Sequence, residues 1–117
     1  MRLFSPGRVV FVATFALFAF ACAPGLYLRD SGELTTAAFT LGVAHETGFT
    51  LWCLVCKAVT LIPLGEVATR VNLASALAAA TAAWLAFAVV RSLGPDEPAA
   101  VAAGVGAAAL TAAGLTM

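Results

Sequence analysis

The stretch that decides the fold is VVFVATFALFAFACAPGLYL, residues 9–28. Its 20 residues carry no charge and are rich in Phe, Ala, Val and Leu. A helix of that length is about 30 Å long, the thickness of a bilayer's hydrocarbon core. Pro24 and Gly25 should loosen its last turn, and Tyr27 suits a membrane–water interface. Arg29 follows, and then Asp30-Ser31-Gly32-Glu33. Two carboxylates three residues apart make a poor lipid anchor. They are better suited to a polar substrate at the membrane surface.

The rest of the composition agrees with a membrane protein. The chain has 117 residues, 62% hydrophobic and 10% charged, where a soluble domain carries about a quarter charged residues. The N-terminus has the outline of a signal peptide, with Arg2 and Arg8 first and Ala21-Cys22-Ala23 resembling a cleavage site. Pro24 would follow the cut directly, and the apolar run outlasts a signal core of about 7–15 residues. The segment therefore reads as an uncleaved signal-anchor helix. Net charge is zero and no basic block occurs, which argues against a nucleic-acid partner. Three cysteines in apolar settings do not form a disulfide framework. The run from Ala99 is still apolar at Met117, so a fragment of a longer protein is expected.

Between the apolar runs lies a more polar stretch. Leu34, Ala37, Ala38 and Leu41 fall on one face of a short surface helix, with Gly42 as its expected end. Phe49 to Leu64 is apolar except for Lys57 and ends beside Pro63. As a helix it would reach only about 24 Å, and a central lysine resists insertion. It reads as an interfacial or buried helix. Val71 to Leu93 is a clear span bracketed by Arg70 and Arg91. The turn Gly94-Pro95-Asp96-Glu97-Pro98 leads to a third span, whose Gly104, Gly106 and Ala108 are small enough for close packing. The expected architecture is all-α and integral to the membrane, with about three transmembrane helices at residues 9–28, 71–93 and 99–117. Residues 29–70 form an outer, extracytoplasmic loop of interfacial helices, and the N-terminus is cytoplasmic.

The candidate chemistry gathers in that outer loop. Asp30 and Glu33 would share a helix face, where a carboxylate near an apolar wall can serve as a general base. The competing reading is a helix cap, a variant of the capping box. His45 beside Glu46 could act in acid–base chemistry or sit on a surface, and one His with one acid is too little for a closed zinc site. Cys53-Leu54-Val55-Cys56 matches C-x-x-C but follows no strand, and reads as two small residues on a helix face. Lys57 and Arg70 could hold a lipid phosphate or snorkel to the interface. Asn72 should find a partner on a neighbouring helix.

Three runs stand in a telling order: Asp30-Ser31-Gly32-Glu33, then Ala37 to His45 with Gly48-Phe49, then Arg70-Val71-Asn72-Leu73 with Ser75-Ala76-Leu77. Together they resemble the N-terminal region of the GT-C superfamily of membrane glycosyltransferases, in the protein O-mannosyltransferase-like branch. The resemblance covers about residues 8 to 93. It implies an inverting enzyme of the bacterial inner membrane that moves a sugar such as mannose from a polyprenyl-phosphate donor to a protein or glycan hydroxyl. On this pattern Asp30 is the catalytic carboxylate, Glu33 lines the same site, and His45 and Arg70 bind substrate, Arg70 at the lipid phosphate. No protein-bound metal is assigned, and a need for a divalent ion is left open. Prolines that the family carries after the histidine and after the Gly-aromatic pair are replaced here by Glu46-Thr47 and Thr50. Relatives are several times longer, so this chain alone is expected to be inactive. The alternative is a small, non-enzymatic membrane protein that packs against a helical partner.

Overall fold

Pro6 fits the first turn of a helix, because its missing N–H would have no partner there. A computed structural model begins its first helix at that residue and describes residues 5–22, 25, 31–44, 49–94 and 96–115, the side chains of 112–115 excepted. Among the described residues the chain is all-helical: α1 Pro6–Ala21, α2 Ser31–Thr40, α3 Thr50–Thr60, α4 Val67–Ser92 and α5 Glu97–Leu115. Helix α1 starts earlier and stops earlier than expected, at 16 residues or about 24 Å. The sequence supplies the reason, since a residue before proline avoids helical backbone and Pro24 lies three residues past Ala21. Of the described helices, α4 alone is long and apolar enough to cross a membrane.

The helices form two compact units. One contains α1, α5 and α4 from Ala76 onward. Its core is Val10, Ala83, Phe87 and Ala100, with Val90, Val101 and Ala108 packed against it. Two glycines allow this packing. A Cβ on Gly7 would lie 2.9 Å from the Phe87 ring, and one on Gly104 would lie 2.8 Å from Val10 Cγ1 and 3.1 Å from the Ala83 carbonyl oxygen. Real Cβ atoms do not approach so closely, so glycine is needed at both positions. Gly106 differs from expectation: a Cβ there would meet nothing within 4 Å. The outward sides of these helices are apolar as well, with Val12, Leu17, Phe20, Leu77, Trp84, Leu85, Val89, Val105 and Leu110 exposed.

The other unit contains α2, α3 and α4 up to Ser75. Small side chains let its helices approach closely. Ala37, Ala44 and Cys53 form one cluster with Leu34 against it. Ala38, Cys56 and Val71 form a second, flanked by Trp52, Val67 and Ala74. The expected inner face of α2 is correct at Leu34, Ala37 and Ala38. Leu41 instead is 54% exposed and has left-handed backbone, with φ 56°. Gly42 N–H then donates to the Ala37 carbonyl at 2.9 Å, which closes a Schellman cap one residue before the expected glycine. Helix α3 has 11 residues, about 17 Å, too short to span, as its length and Lys57 predicted. It buries Cys53, Cys56 and Thr60 and exposes Leu51, Leu54 and Val55.

Candidate functional site

The ends of α2 and α3 organise the polar region. The last carbonyls of a helix have no partner within it and must find donors elsewhere. At the end of α2, Lys57 Nζ reaches across from α3 and donates to the Phe39 carbonyl, standing 5.0 Å from the centroid of the Phe39 ring. Its charge also suits the negative end of the helix dipole. At the end of α3 the Lys57 carbonyl accepts from Thr60 Oγ1 at 2.8 Å. The Ala58 and Val59 carbonyls accept from the N–H groups of Leu61 and Ile62. Arg70 of α4 completes the set: its Nη1 donates to the Thr60 carbonyl at 2.8 Å and to the Ile62 carbonyl. Lys57 and Arg70 thus cap helices contributed by other segments, a role the sequence did not reveal. The partner carbonyls of Arg70 lie eight and ten residues before it, across a turn containing Pro63.

Arg70 also lines an open depression of about 500 Å³ with Thr35, Thr36, Phe39, Gly65, Glu66, Val67 and Ala68. Nη1 is used by carbonyls, but the guanidinium fork has a further pair of donors on Nη2. A second depression of about 330 Å³ includes Glu33 together with Gly32, Thr36, Ala37, Thr40, Gly42 and Val43. Thr36 borders both hollows. Glu33 is exposed and sits in the first turn of α2, where a carboxylate favours the helix dipole as well as facing a cleft. Of the four candidate site residues, the structure therefore brings Glu33 and Arg70 to neighbouring hollows. Asp30 and His45 lie outside the described residues.

Asn72 Nδ2 donates to the Gly25 carbonyl at 3.1 Å. This acceptor belongs to the segment between α1 and α2. This bond ties α4 to Gly25.

Cys53 and Cys56 are buried free thiols on the inner face of α3. Burial, with Cys53 adding to it, pushes the Cys56 thiol up to about 11. It stays protonated at neutral pH, which suits packing and not nucleophilic or redox work. Among the described residues no three of His, Cys, Asp or Glu gather as a metal site requires.

Glu66 was not singled out by the sequence reading. It lines the larger depression with Arg70 and lies just before α4, four residues from Arg70 in sequence. The available signal was an acid just before a long apolar helix with a cation one turn on.

Comparison with known proteins adds two findings. A family model described as Protein O-mannosyl-transferase TMEM260 N-terminal domain matches residues 30–116. The mouse (Mus musculus) Protein O-mannosyl-transferase TMEM260 is 45% identical to this chain over 98 residues. That alignment takes in 82% of this chain and 14% of the mouse protein, so the chain spans about one seventh of its relative's length. No solved structure matches.

Proposed function

This chain belongs to the TMEM260 N-terminal domain family, and from that premise we propose that it is the N-terminal part of an integral membrane, inverting glycosyltransferase of GT-C type. The matched stretch carries the proposal, because it opens on Asp30 and runs through Glu33, His45 and Arg70. The donor is a polyprenyl-phosphate sugar such as mannose, and the acceptor is a hydroxyl of a protein or glycan. Asp30 takes the proton from that hydroxyl. The oxygen attacks the anomeric carbon from the face opposite the phosphate, the bond from carbon to phosphate oxygen breaks, and the lipid phosphate leaves. Glu33 orients the acceptor or holds the first turn of α2, His45 contacts substrate, and the free edge of Arg70 faces the lipid phosphate. These groups serve the full-length protein, and the present chain alone is inactive.

The apolar outward faces of α1, α4 and α5 support a bilayer setting, since a soluble protein rarely exposes so many large side chains together. With α4 as one span, α1 and α5 complete the three proposed here, and residues 29–70 lie on the side opposite the N-terminus. The relative found is a mouse protein, so the proposal is for a membrane enzyme without commitment to the bacterial inner membrane.

The test uses the full-length protein containing this chain, assayed in membranes with and without Asp30→Asn. Loss of a general base should lower sugar transfer about 100-fold or more. Unchanged transfer would remove Asp30 from the mechanism. A wild-type protein that transfers no sugar from any polyprenyl-phosphate donor would overturn the proposal as a whole.

A further inference from the structure

The depression of about 500 Å³ beside Arg70 has a composition of its own. Its lining is mostly apolar, with Phe39, Val67 and Ala68, and includes three residues with polar side chains that carry the argument, Thr36, Glu66 and Arg70. A hexose has apolar C–H faces and an edge of hydroxyls, each able to donate and accept. A carboxylate accepts hydrogen bonds from two adjacent hydroxyls, and a guanidinium donates to hydroxyl oxygens. An acid and a cation four residues apart, beside apolar side chains in one lining, match both properties.

The ordinary reading of Glu66 and Arg70 is an ion pair across the first turn of α4, with Glu66 just before the helix. The hydrogen bonds of Arg70 go elsewhere: Nη1 to the Thr60 and Ile62 carbonyls, and Nε, weakly, to the backbone oxygen of Glu66 at 3.4 Å. Glu66 is exposed and is one of the residues lining the hollow. It lies toward the chain before α2, with Oε2 3.6 Å from where a Cβ on Gly25 would stand. Gly25 is the residue whose carbonyl Asn72 holds. Glu66 is therefore close to Gly25.

We infer that Glu66 is a substrate-binding residue that accepts hydroxyl hydrogen bonds from the hexose unit of the donor, in the hollow it shares with Arg70. The inference rests on the glycosyltransferase reading and adds a carboxylate that the sequence motifs did not include. Glu66 binds sugar and is not a second base, so its loss should raise KM and spare kcat.

The experiment compares wild type, Glu66→Gln and Glu66→Asp in the full-length protein, reconstituted in nanodiscs. Two quantities are read: the steady-state constants for a short-chain polyprenyl-phosphate mannose, and the affinity for methyl mannoside without donor. Losing one charged hydrogen bond predicts about a tenfold rise in KM and in the methyl mannoside Kd for Glu66→Gln, with kcat within about threefold. Glu66→Asp should recover part of the loss. A Glu66→Gln protein whose KM and Kd both match wild type overturns the inference and leaves the glycosyltransferase reading standing. A wild-type protein that binds methyl mannoside through Glu66 but transfers no sugar does the reverse. If Glu66 served only α4 stability, the variant would melt earlier with KM unchanged, which also overturns the inference.

Discussion

Helices α1, α5 and the later part of α4 pack by omitting side chains: Gly7 and Gly104 leave room for Phe87 and Val10. Helices α2, α3 and the first turns of α4 pack by adding polar ones, with Lys57 and Arg70 donating to the carbonyl ends of α2 and α3. Both regions are rich in alanine and poor in charge. The first relies on van der Waals contact, which works equally well beside lipid, where apolar burial gives no extra drive. The second relies on hydrogen bonds from fixed cations, which set where its short helices end. A region that must present polar groups in a defined arrangement needs the second kind of order.

The largest test of this contrast is Gly104→Leu. Even a methyl at that position collides with Val10 and crowds the Ala83 carbonyl, so unfolding in detergent should show a loss of about 3 kcal/mol or more for leucine. Gly106→Leu is the matched control. It meets open space and should change stability by about 0.5 kcal/mol or less. Equal losses at the two positions would mean that helix propensity, and not close approach, governs α5.

Next in size is Arg70→Ala, which removes the side-chain donor to the Thr60 carbonyl and leaves the Ile62 carbonyl with the Leu64 N–H. A charged hydrogen bond contributes about 1.5–3 kcal/mol, so a loss of about 2 kcal/mol is expected on denaturant unfolding. Arg70→Lys carries its cation on a shorter side chain and should recover only part of it. Full recovery by lysine would reduce Arg70 to a point charge near the end of α3.

The smallest effect, and of opposite sign, belongs to Leu41. A non-glycine residue in left-handed backbone costs about 1–2 kcal/mol, and this side chain buries little. Leu41→Gly should raise stability by up to about 1 kcal/mol after the extra freedom of glycine in the unfolded chain is subtracted. A loss would show that the exposed leucine has a contact worth more than the strain.

These same residues mark how far the sequence could be read. Spacing and length identified the short helices, and the i, i+3 placement of Cys53 and Cys56 correctly assigned them to a packed face. Local signals do not extend to the pairing of a side chain with a distant carbonyl. Lys57 and Phe39 are eighteen residues apart, and nothing in either neighbourhood names the other. Gly104 and Gly106 look alike in sequence, and only the packing of α1 and α4 distinguishes them. Leu41 was assigned to the inner face by periodicity, because the chain leaves the helix one residue before the glycine that advertised its end. For the candidate site, Glu33 and Arg70 were legible as polar residues in an apolar chain. Glu66 was not, because an acid at a helix start is usually an ordinary feature.

The contact between Val10 and Gly104 reaches beyond this one chain. Two positions 94 residues apart share a fixed volume, so they should vary together. Where a relative has alanine or serine at the position matching Gly104, the position matching Val10 should shrink to alanine or glycine. Such paired exchanges could be sought in aligned relatives before any further structure is solved, and they would report the register of α1 against α5 as directly as a cross-link.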